Sequence, residues 1–105
     1  MKLLTDTIER MLPGLHTREA GCKDPRFVCK FFDPIGSWTW YVLEGEKQED
    51  GDWLFYGLVD GMEKEWGYFR LSELESIANT PRHASFQLGI ERDIHFENQP
   101  VAKYV

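Results

Sequence analysis

The residues whose spacing could do chemistry lie near the end of the sequence, where four potential metal ligands occupy every second position. They are Glu91, Asp93, His95 and Glu97, and a strand would place all four on one face because side chains alternate with a period of two. Carboxylates with one imidazole suit a hard or borderline divalent ion, and could also perform general acid–base chemistry. A polar outward face on an edge strand needs no ligand, however, and Arg92 on the opposite face offers a competing ion pair. The polar-face interpretation is favoured, and no cofactor is predicted.

Negative charge is concentrated in the middle of the chain. The net charge is −6, and residues 44–65 account for all of it with eight acids and two lysines. Such a segment repels nucleic-acid phosphate and anionic membranes and attracts a basic protein surface or a cation. The sequence therefore predicts no nucleic-acid or membrane partner, and a basic protein partner if there is one. Its candidate binding residues are Glu46, Glu49, Asp50 and Glu63, although a solvated surface that maintains solubility is the simpler interpretation.

The two cysteines differ in their surroundings. Cys29 lies in an apolar run and is interpreted as a small buried hydrophobe. Cys22 lies in a loop beside Lys23, which would favour the thiolate, but no histidine is close in sequence to act as a base. Without CxxC spacing the pair does not indicate a metal site or a redox centre, and reduced thiols are expected. His16 and His83 are isolated and predicted to lie on the surface.

The elements that must position these residues belong to one unit. A chain of 105 residues suits one hydrophobic core, and no linker or repeat divides it, so residues 1–105 are predicted to form a single domain. No apolar run approaches the roughly 18 residues that span a bilayer, and no signal-like segment begins the sequence. We therefore expect a cytoplasmic protein.

Alternating apolar residues predict an antiparallel meander. Turn sequences Asp50-Gly51 and Asp60-Gly61 lie at opposite ends of the third predicted strand, which would separate the acids into two groups. Trp40 and Phe55 are predicted to lie in the core. The four predicted strands cover residues 26–33, 37–43, 52–59 and 65–70.

Two short helices and a late strand complete the prediction. The spacing of Leu4, Ile8 and Leu12 behind Thr5 or Asp6 predicts an N-terminal helix. A second helix is predicted over 72–78, where Ser72 and Glu75 have capping-box spacing. Residues 82–89 are interpreted as a loop and 90–96 as an edge strand. The fold class is α+β, with a four- to five-stranded antiparallel meander sheet and two short helices.

Several ordered motifs resemble one bacterial family across nearly the whole chain. They are Trp-Thr-Trp-Tyr at 38–41, Gly-Leu-Val-Asp-Gly at 57–61, Glu-Trp-Gly-Tyr-Phe at 65–69, Ser-Glu-Leu-Glu-Ser at 72–76 and Ile-Glu-Arg-Asp at 90–93. The family is the one catalogued as domain of unknown function 2958. The resemblance implies a small cytoplasmic protein, often encoded near plasmid and mobile-element genes, with no established activity and no catalytic residue.

Two hypotheses of function follow. The first is an accessory protein that binds a protein partner through its acidic hairpin region and neighbouring aromatic residues, in the biology of a mobile element. The second is a small metal-dependent enzyme that uses the polar face of the last strand. The aromatic strands do not favour single-stranded nucleic acid, because their rings alternate with acids rather than with Lys and Arg.

Overall fold

The computed structural model describes all 105 residues and is built around a five-stranded antiparallel sheet with the order β5-β4-β3-β2-β6. A two-stranded sheet, β1 with β7, lies beside it. The strands are β1 (Arg26–Phe27), β2 (Cys29–Phe32), β3 (Thr39–Lys47), β4 (Trp53–Asp60), β5 (Lys64–Arg70), β6 (Glu91–Arg92) and β7 (Gln99–Pro100). The predicted α+β class and the meander of β2 to β5 are confirmed.

One face of the sheet, here the helix-covered face, holds the larger core. Trp40 and Phe55 are buried there, as predicted, and Phe55 pairs with Phe69 of β5 across the sheet. The α-helices α1 (Asp6–Met11) and α2 (Leu71–Ser76) pack over this face. Its other buried residues are Leu3, Leu4, Cys29, Phe31, Val42, Leu74 and Ile90.

The opposite face, here the tail-covered face, holds a smaller core under the C-terminal segment. Val101 is buried there and Tyr104 packs beside it, so the C-terminal segment docks on this face. The pairing of β1 with β7 fixes this segment, with Phe27 opposite Gln99. The remaining buried members of this core are Tyr41, Leu43 and Leu58.

Side-chain caps begin the helices, in part as predicted. The Thr5 hydroxyl accepts a hydrogen bond from the Ile8 backbone N–H and begins α1. The capping box predicted from Ser72 is wrong: α2 begins one residue earlier, and the Glu73 carboxylate accepts from the Arg70 N–H. Ser72 instead donates through its backbone and hydroxyl to Asp52.

Residues 82–89 are not the predicted loop, because a third helix, α3 (Pro81–Phe86), lies there. Thr80 caps it through a hydrogen bond from the His83 backbone N–H, and Pro81 takes the first helical position, where a missing N–H costs nothing. Proline is compatible both with the end of one helix and with the first position of the next, so Pro81 alone does not distinguish a loop from a helix start. None of the helices combines the length and the apolar character that a membrane-spanning helix requires.

The first and last predicted strands are shorter than expected. The run 26–33 is interrupted at Val28, which separates β1 from β2. The last strand ends at Arg92 rather than at Phe96. An Asx turn causes this early end, since the Asp93 carboxylate accepts from the His95 N–H and the backbone leaves the sheet.

Candidate partner-binding surface

Strand β5 forms one edge of the five-stranded sheet, and its middle has unpaired backbone groups. Val28 N–H donates to Val42 C=O, so the peptide groups of Val42 point toward β2. Val42 is opposite Gly57, and Gly57 is opposite Gly67. Hydrogen bonding alternates along antiparallel strands, so the N–H and C=O groups of Gly57 point toward β5 and those of Gly67 point back toward β4. The flanking residues Trp66 and Tyr68 therefore point their N–H and C=O groups outward, away from the sheet. No group of the chain hydrogen-bonds to these outward groups.

On the tail-covered side, Trp66 and Tyr68 of β5 form an aromatic cluster with Tyr56 of β4. Trp66 stacks on Tyr56 at 5.9 Å between ring centroids and on Phe27 at 5.8 Å. Trp66 is 42% exposed and Tyr68 48% exposed. These rings are held by one another while much of their surface faces solvent.

A bulge in β3 places a carboxylate under this cluster. The register shifts between Val42 and Glu44, so that Glu44 lies opposite Tyr56 on the tail-covered face. Strict alternation would have sent Glu44 to the other face. Glu44 is the one buried charged residue of the chain, with 1% of its surface exposed. A carboxylate this deep requires hydrogen-bond partners.

The partners come from a 3-10 turn at Thr17–Ala20 and the residue before it. Glu44 accepts from the backbone N–H of His16 at 3.0 Å and of Arg18 at 2.7 Å, and forms an ion pair with the Arg18 guanidinium. The neighbouring carboxylate of Glu46 accepts from Leu15 N–H at 3.1 Å. The two acids therefore fix the segment that carries Arg18.

Arg18 connects the buried acid to the exposed rings. Its guanidinium carbon lies 3.6 Å from the centre of the Tyr56 ring, and a guanidinium N–H donates to the Tyr68 hydroxyl at 3.3 Å. The hydrogen bond to Tyr68 and the negative charge of Glu44 raise the pKa of Arg18 above its ordinary value. A permanent cation stacked on Tyr56 holds the aromatic cluster in place.

A cavity of about 260 Å³ opens between Trp66 and the loop containing Cys22 and Pro25. Arg18 and Tyr56 line its wall. Its volume falls below the roughly 300 to 1,000 Å³ of typical small-molecule sites. The size is better suited to one side chain of a partner than to a whole ligand.

On the helix-covered side, β5 borders a second concavity that is both apolar and acidic. This Trp38 cleft, of about 400 Å³, is lined by Trp38, Val59, Met62, Glu63 and Glu65. Trp38 is 43% and Met62 94% exposed. An exposed indole beside two carboxylates offers cation–π and ionic contacts to a basic side chain.

The predicted acidic residues separate into two groups along β4. Glu63 lies in the Trp38 cleft, beside Glu65, which sequence reasoning did not select. Glu49 and Asp50 lie in the turn between β3 and β4, and Glu46 lies near the end of β3. Since β4 has eight residues, about 23 Å separates the groups at ~3.3 Å per residue.

Two members of the β3–β4 group already have partners within the chain. Glu46 accepts from Leu15 N–H, and Asp50 lies 3.8 Å from an Arg70 guanidinium nitrogen. Glu49 is exposed. Only Glu63 of the four predicted residues adjoins the exposed aromatic surface of β5.

The four candidate metal ligands do not share a strand face, so that prediction is wrong. Glu91 is in β6, whereas Asp93 and His95 lie in the turn after it and Glu97 lies beyond. Asp93 uses its carboxylate for His95 N–H and for an ion pair with Lys30. No group of three or more His, Cys, Asp or Glu residues is arranged to hold a metal ion.

The thiols occupy the positions that were predicted. Cys29 is buried and Cys22 exposed, and both are free. Burial raises the pKa of Cys29 to about 12. Cys22 borders the cavity beside Trp66 and so belongs to the surface along β5.

His83 is not the isolated surface residue that was predicted. Its Nε2 lies 3.0 Å from the Asp33 carboxylate and its Nδ1 2.7 Å from the Thr80 hydroxyl. Thr80 already accepts the backbone N–H that caps α3. We interpret the contact between His83 and Asp33 as structural, because it joins α3 to the turn after β2.

Sequence reasoning missed Arg18, Tyr56, Trp66 and Tyr68 as surface residues. Alternation predicts which face of a strand a ring occupies, but it does not show whether that face is covered, so it could not identify Trp66 and Tyr68 as exposed. Arg18 gave no signal, since its partner Glu44 is 26 residues away. The useful signal was the alternation of Tyr56, Trp66 and Tyr68 with glycines and acids on adjoining strands.

A family model described as "Protein of unknown function (DUF2958)" matches residues 3–105. No curated protein and no solved structure matches the chain. The resemblance found in the sequence motifs is confirmed over nearly the full length.

Proposed function

The chain belongs to the family described as "Protein of unknown function (DUF2958)", and we propose that the surface along β5 binds a partner protein that carries basic residues. The observation that supports this proposal is the apolar exposure on both sides of one sheet edge. Four large apolar side chains, Trp38, Met62, Trp66 and Tyr68, are more than two-fifths exposed there. Exposed apolar patches of this kind are typical of interaction sites.

The residue types favour a protein partner over a small molecule. Tyr and Trp are enriched among the few residues that supply most of the binding free energy at protein interfaces, because they bury a large rigid area at a small entropic cost. Arg18 and Glu44 hold the rings in position before any partner arrives. The cavity beside Trp66 accommodates one side chain rather than a ligand.

Charge sets the kind of partner. Glu63 and Glu65 line the Trp38 cleft, and the whole chain carries −6. A basic surface would be attracted during encounter and paired in the complex. We extend the proposal to the cytoplasmic, mobile-element setting that the family resemblance implies.

The first experiment identifies the partner. A photo-crosslinking amino acid is placed at Met62, in the Trp38 cleft, and in a second variant at Lys47, an exposed residue at the far end of β3. Proteins crosslinked in the native host are identified by mass spectrometry. We expect a partner that crosslinks at Met62 and not at Lys47.

The captured protein is then purified and titrated against wild type and Trp66→Ala. Loss of a central aromatic side chain should weaken binding by at least ~10-fold, the scale of an interface hot spot. Equal crosslinking at the two positions, or unchanged affinity of Trp66→Ala, would contradict the proposal.

Matched charge reversals locate the electrostatic contribution. Glu63→Lys and Glu49→Lys change the net charge equally, but their positions are about 23 Å apart, well beyond the ~8 Å Debye length at physiological salt. Glu63→Lys should slow association about threefold or more, whereas Glu49→Lys should not. If both variants slow association alike, the charge acts through the whole molecule rather than at β5.

A further inference from the structure

We infer that β5 accepts an extended segment of the partner as an added strand of the sheet, with a lysine or arginine of that segment in the Trp38 cleft. This inference rests on the proposed function and specifies how the same surface binds. It is supported by the backbone of β5, by the side chains on its two sides, and by the charge of the cleft.

The backbone of β5 offers a template for strand addition. The outward N–H and C=O groups of Trp66 and Tyr68 have no partner in the chain, so a segment about three residues long could exchange hydrogen bonds with both. Proteins usually block such edges with lysine, proline, a bulge or a covering helix. None of these lies between Glu65 and Phe69.

The charged residues at the two ends of β5 make contacts within the chain. Lys64 donates through Nζ to the Tyr104 carbonyl at 3.0 Å. The Arg70 guanidinium lies 3.5 Å from Asp52, and the Arg70 N–H donates to Glu73. The accessible part of the edge is therefore its centre, where the exposed rings lie.

Side chains on the two sides of β5 define the pattern of the added strand. Alternate residues of an added strand face opposite sides of the sheet. On the tail-covered side they would contact Trp66 and Tyr68, which favours apolar residues. On the helix-covered side they would meet Glu65 and the Trp38 cleft, which favours a basic residue with its methylenes on the indole and its charge near the carboxylates. The expected segment alternates apolar and basic residues.

A second copy of the chain fits this edge less well. The residues of its own β5 on the helix-covered side are Glu65, Gly67 and Phe69, and none of them is a cation. Each copy also carries −6, so association of two copies is opposed by long-range repulsion. The occupant that matches the charges is a basic segment of another protein.

A matched pair of variants separates the backbone from the ring. Tyr68→Ala and Tyr68→Pro both remove the phenol and its contact with Arg18, but only proline also removes the outward N–H. Proline is tolerated on an edge strand where its missing N–H faces away from the neighbouring strand. Thermal melting of the two variants establishes that both are folded at the assay temperature.

The probes are fluorescein-labelled peptides of about seven residues, the span of an edge strand. One alternates lysine with valine, a second has the same composition with the lysines and valines in separate blocks, and a third alternates glutamate with valine. Fluorescence anisotropy measures their binding to wild type and to both variants. Hydrogen exchange of the Trp66 and Tyr68 amides, with and without the first peptide, reports directly on strand pairing.

We expect the alternating lysine peptide to bind at least ~10-fold more tightly than either control, and to protect both amides. Tyr68→Pro should bind it at least ~10-fold more weakly than Tyr68→Ala. If proline and alanine weaken binding alike, or if the amides are not protected, strand addition is wrong. Dimerisation of wild type at micromolar concentration that Tyr68→Pro abolishes in sedimentation would also overturn the inference, since the occupant would be a second copy.

The two proposals fail in different ways. If Trp66→Ala weakens binding of the captured partner while Tyr68→Pro and Tyr68→Ala do so equally, β5 is a binding surface without strand addition. If Trp66→Ala has no effect on the partner but the alternating lysine peptide still distinguishes the Tyr68 variants, the edge accepts strands and the proposed function is wrong.

Discussion

The buried ion pair between Arg18 and Glu44 is predicted to hold the aromatic cluster in place, and a double-mutant cycle tests this directly. The Glu44 side chain is 2% and the Arg18 side chain 26% exposed. Arg18→Met keeps an apolar stem against Tyr56 and removes the charge, which leaves the carboxylate with two backbone N–H donors. Breaking a buried pair costs about 3 to 5 kcal/mol, and the remaining donors place the expected cost near ~3 kcal/mol.

The reciprocal change, Glu44→Gln, leaves a neutral acceptor but turns an NH₂ group toward the donors of Arg18. We expect a loss of about 2 to 3 kcal/mol. The double variant contains neither an unpaired charge nor the ionic attraction, so its loss should fall at least ~1 kcal/mol short of the sum of the two single losses. That shortfall is the coupling free energy of the pair.

Urea unfolding followed by tryptophan fluorescence measures all four proteins under one set of conditions. For Arg18→Met the melting temperature should fall by about 12 to 24 °C, since ~1 kcal/mol corresponds to ~4 to 8 °C in a domain of this size. Single losses that add to within ~0.5 kcal/mol would refute the coupling. A loss below ~1 kcal/mol for Arg18→Met would show that the backbone donors alone satisfy Glu44.

Three further predictions concern the framework. Gly57→Ala should lower the free energy of unfolding in urea by about 3 kcal/mol or more, because the added methyl would clash with the Tyr41 carbonyl. The added methyl of Gly67→Ala would meet no atom, so that variant should change the free energy of unfolding by less than ~1 kcal/mol. Equal losses for the two variants would contradict the strand register. At pH 8 Ellman's reagent should titrate one thiol in the native chain and two in urea, because burial raises the pKa of Cys29 to about 12. Hydrogen bonds from Ser72 lower the pKa of Asp52 below its ordinary value of 3.8. The ionised Asp52 carboxylate therefore stabilises the folded state fully above that value, and this stabilisation is lost as the pH falls through the pKa of Asp52 in the folded state. The difference in unfolding free energy between wild type and Asp52→Asn should therefore shrink between about pH 5 and pH 2; a difference independent of pH would contradict it.

The central strands could be predicted from the sequence because their pattern has a simple physical cause. Trp40 lies between Trp38 and Val42 in a run that alternates with period two, and Phe55 lies in a second alternating run between the turn-forming pairs Asp50-Gly51 and Asp60-Gly61. A sheet with a buried face requires such alternation. The placement of both rings in the helix-covered core follows directly. The short N-terminal helix was equally readable, since Thr5 precedes an apolar repeat of helical spacing.

The bulge at Glu44 could not be predicted in the same way. A bulge inserts one residue into a strand and shifts every later side chain by one position, but it leaves no fixed composition in the sequence. The burial of Glu44 depends on Arg18, which is far away along the chain and meets it only after the sheet has formed. The truncation of the last strand is similar, since Asp93 had to form an Asx turn instead of continuing the ladder.

The bulge also explains why the surface along β5 is both exposed and ordered. By turning Glu44 toward Tyr56, it creates a buried charge that needs hydrogen-bond donors, and Arg18 supplies a backbone N–H and a cation. The guanidinium then stacks on Tyr56 and donates to the Tyr68 hydroxyl, while Trp66 and Tyr68 stay more than two-fifths exposed. Association costs less free energy when side chains are already held in place. A single inserted residue in β3 therefore links the packing of the core to the surface along β5 for which we propose a partner.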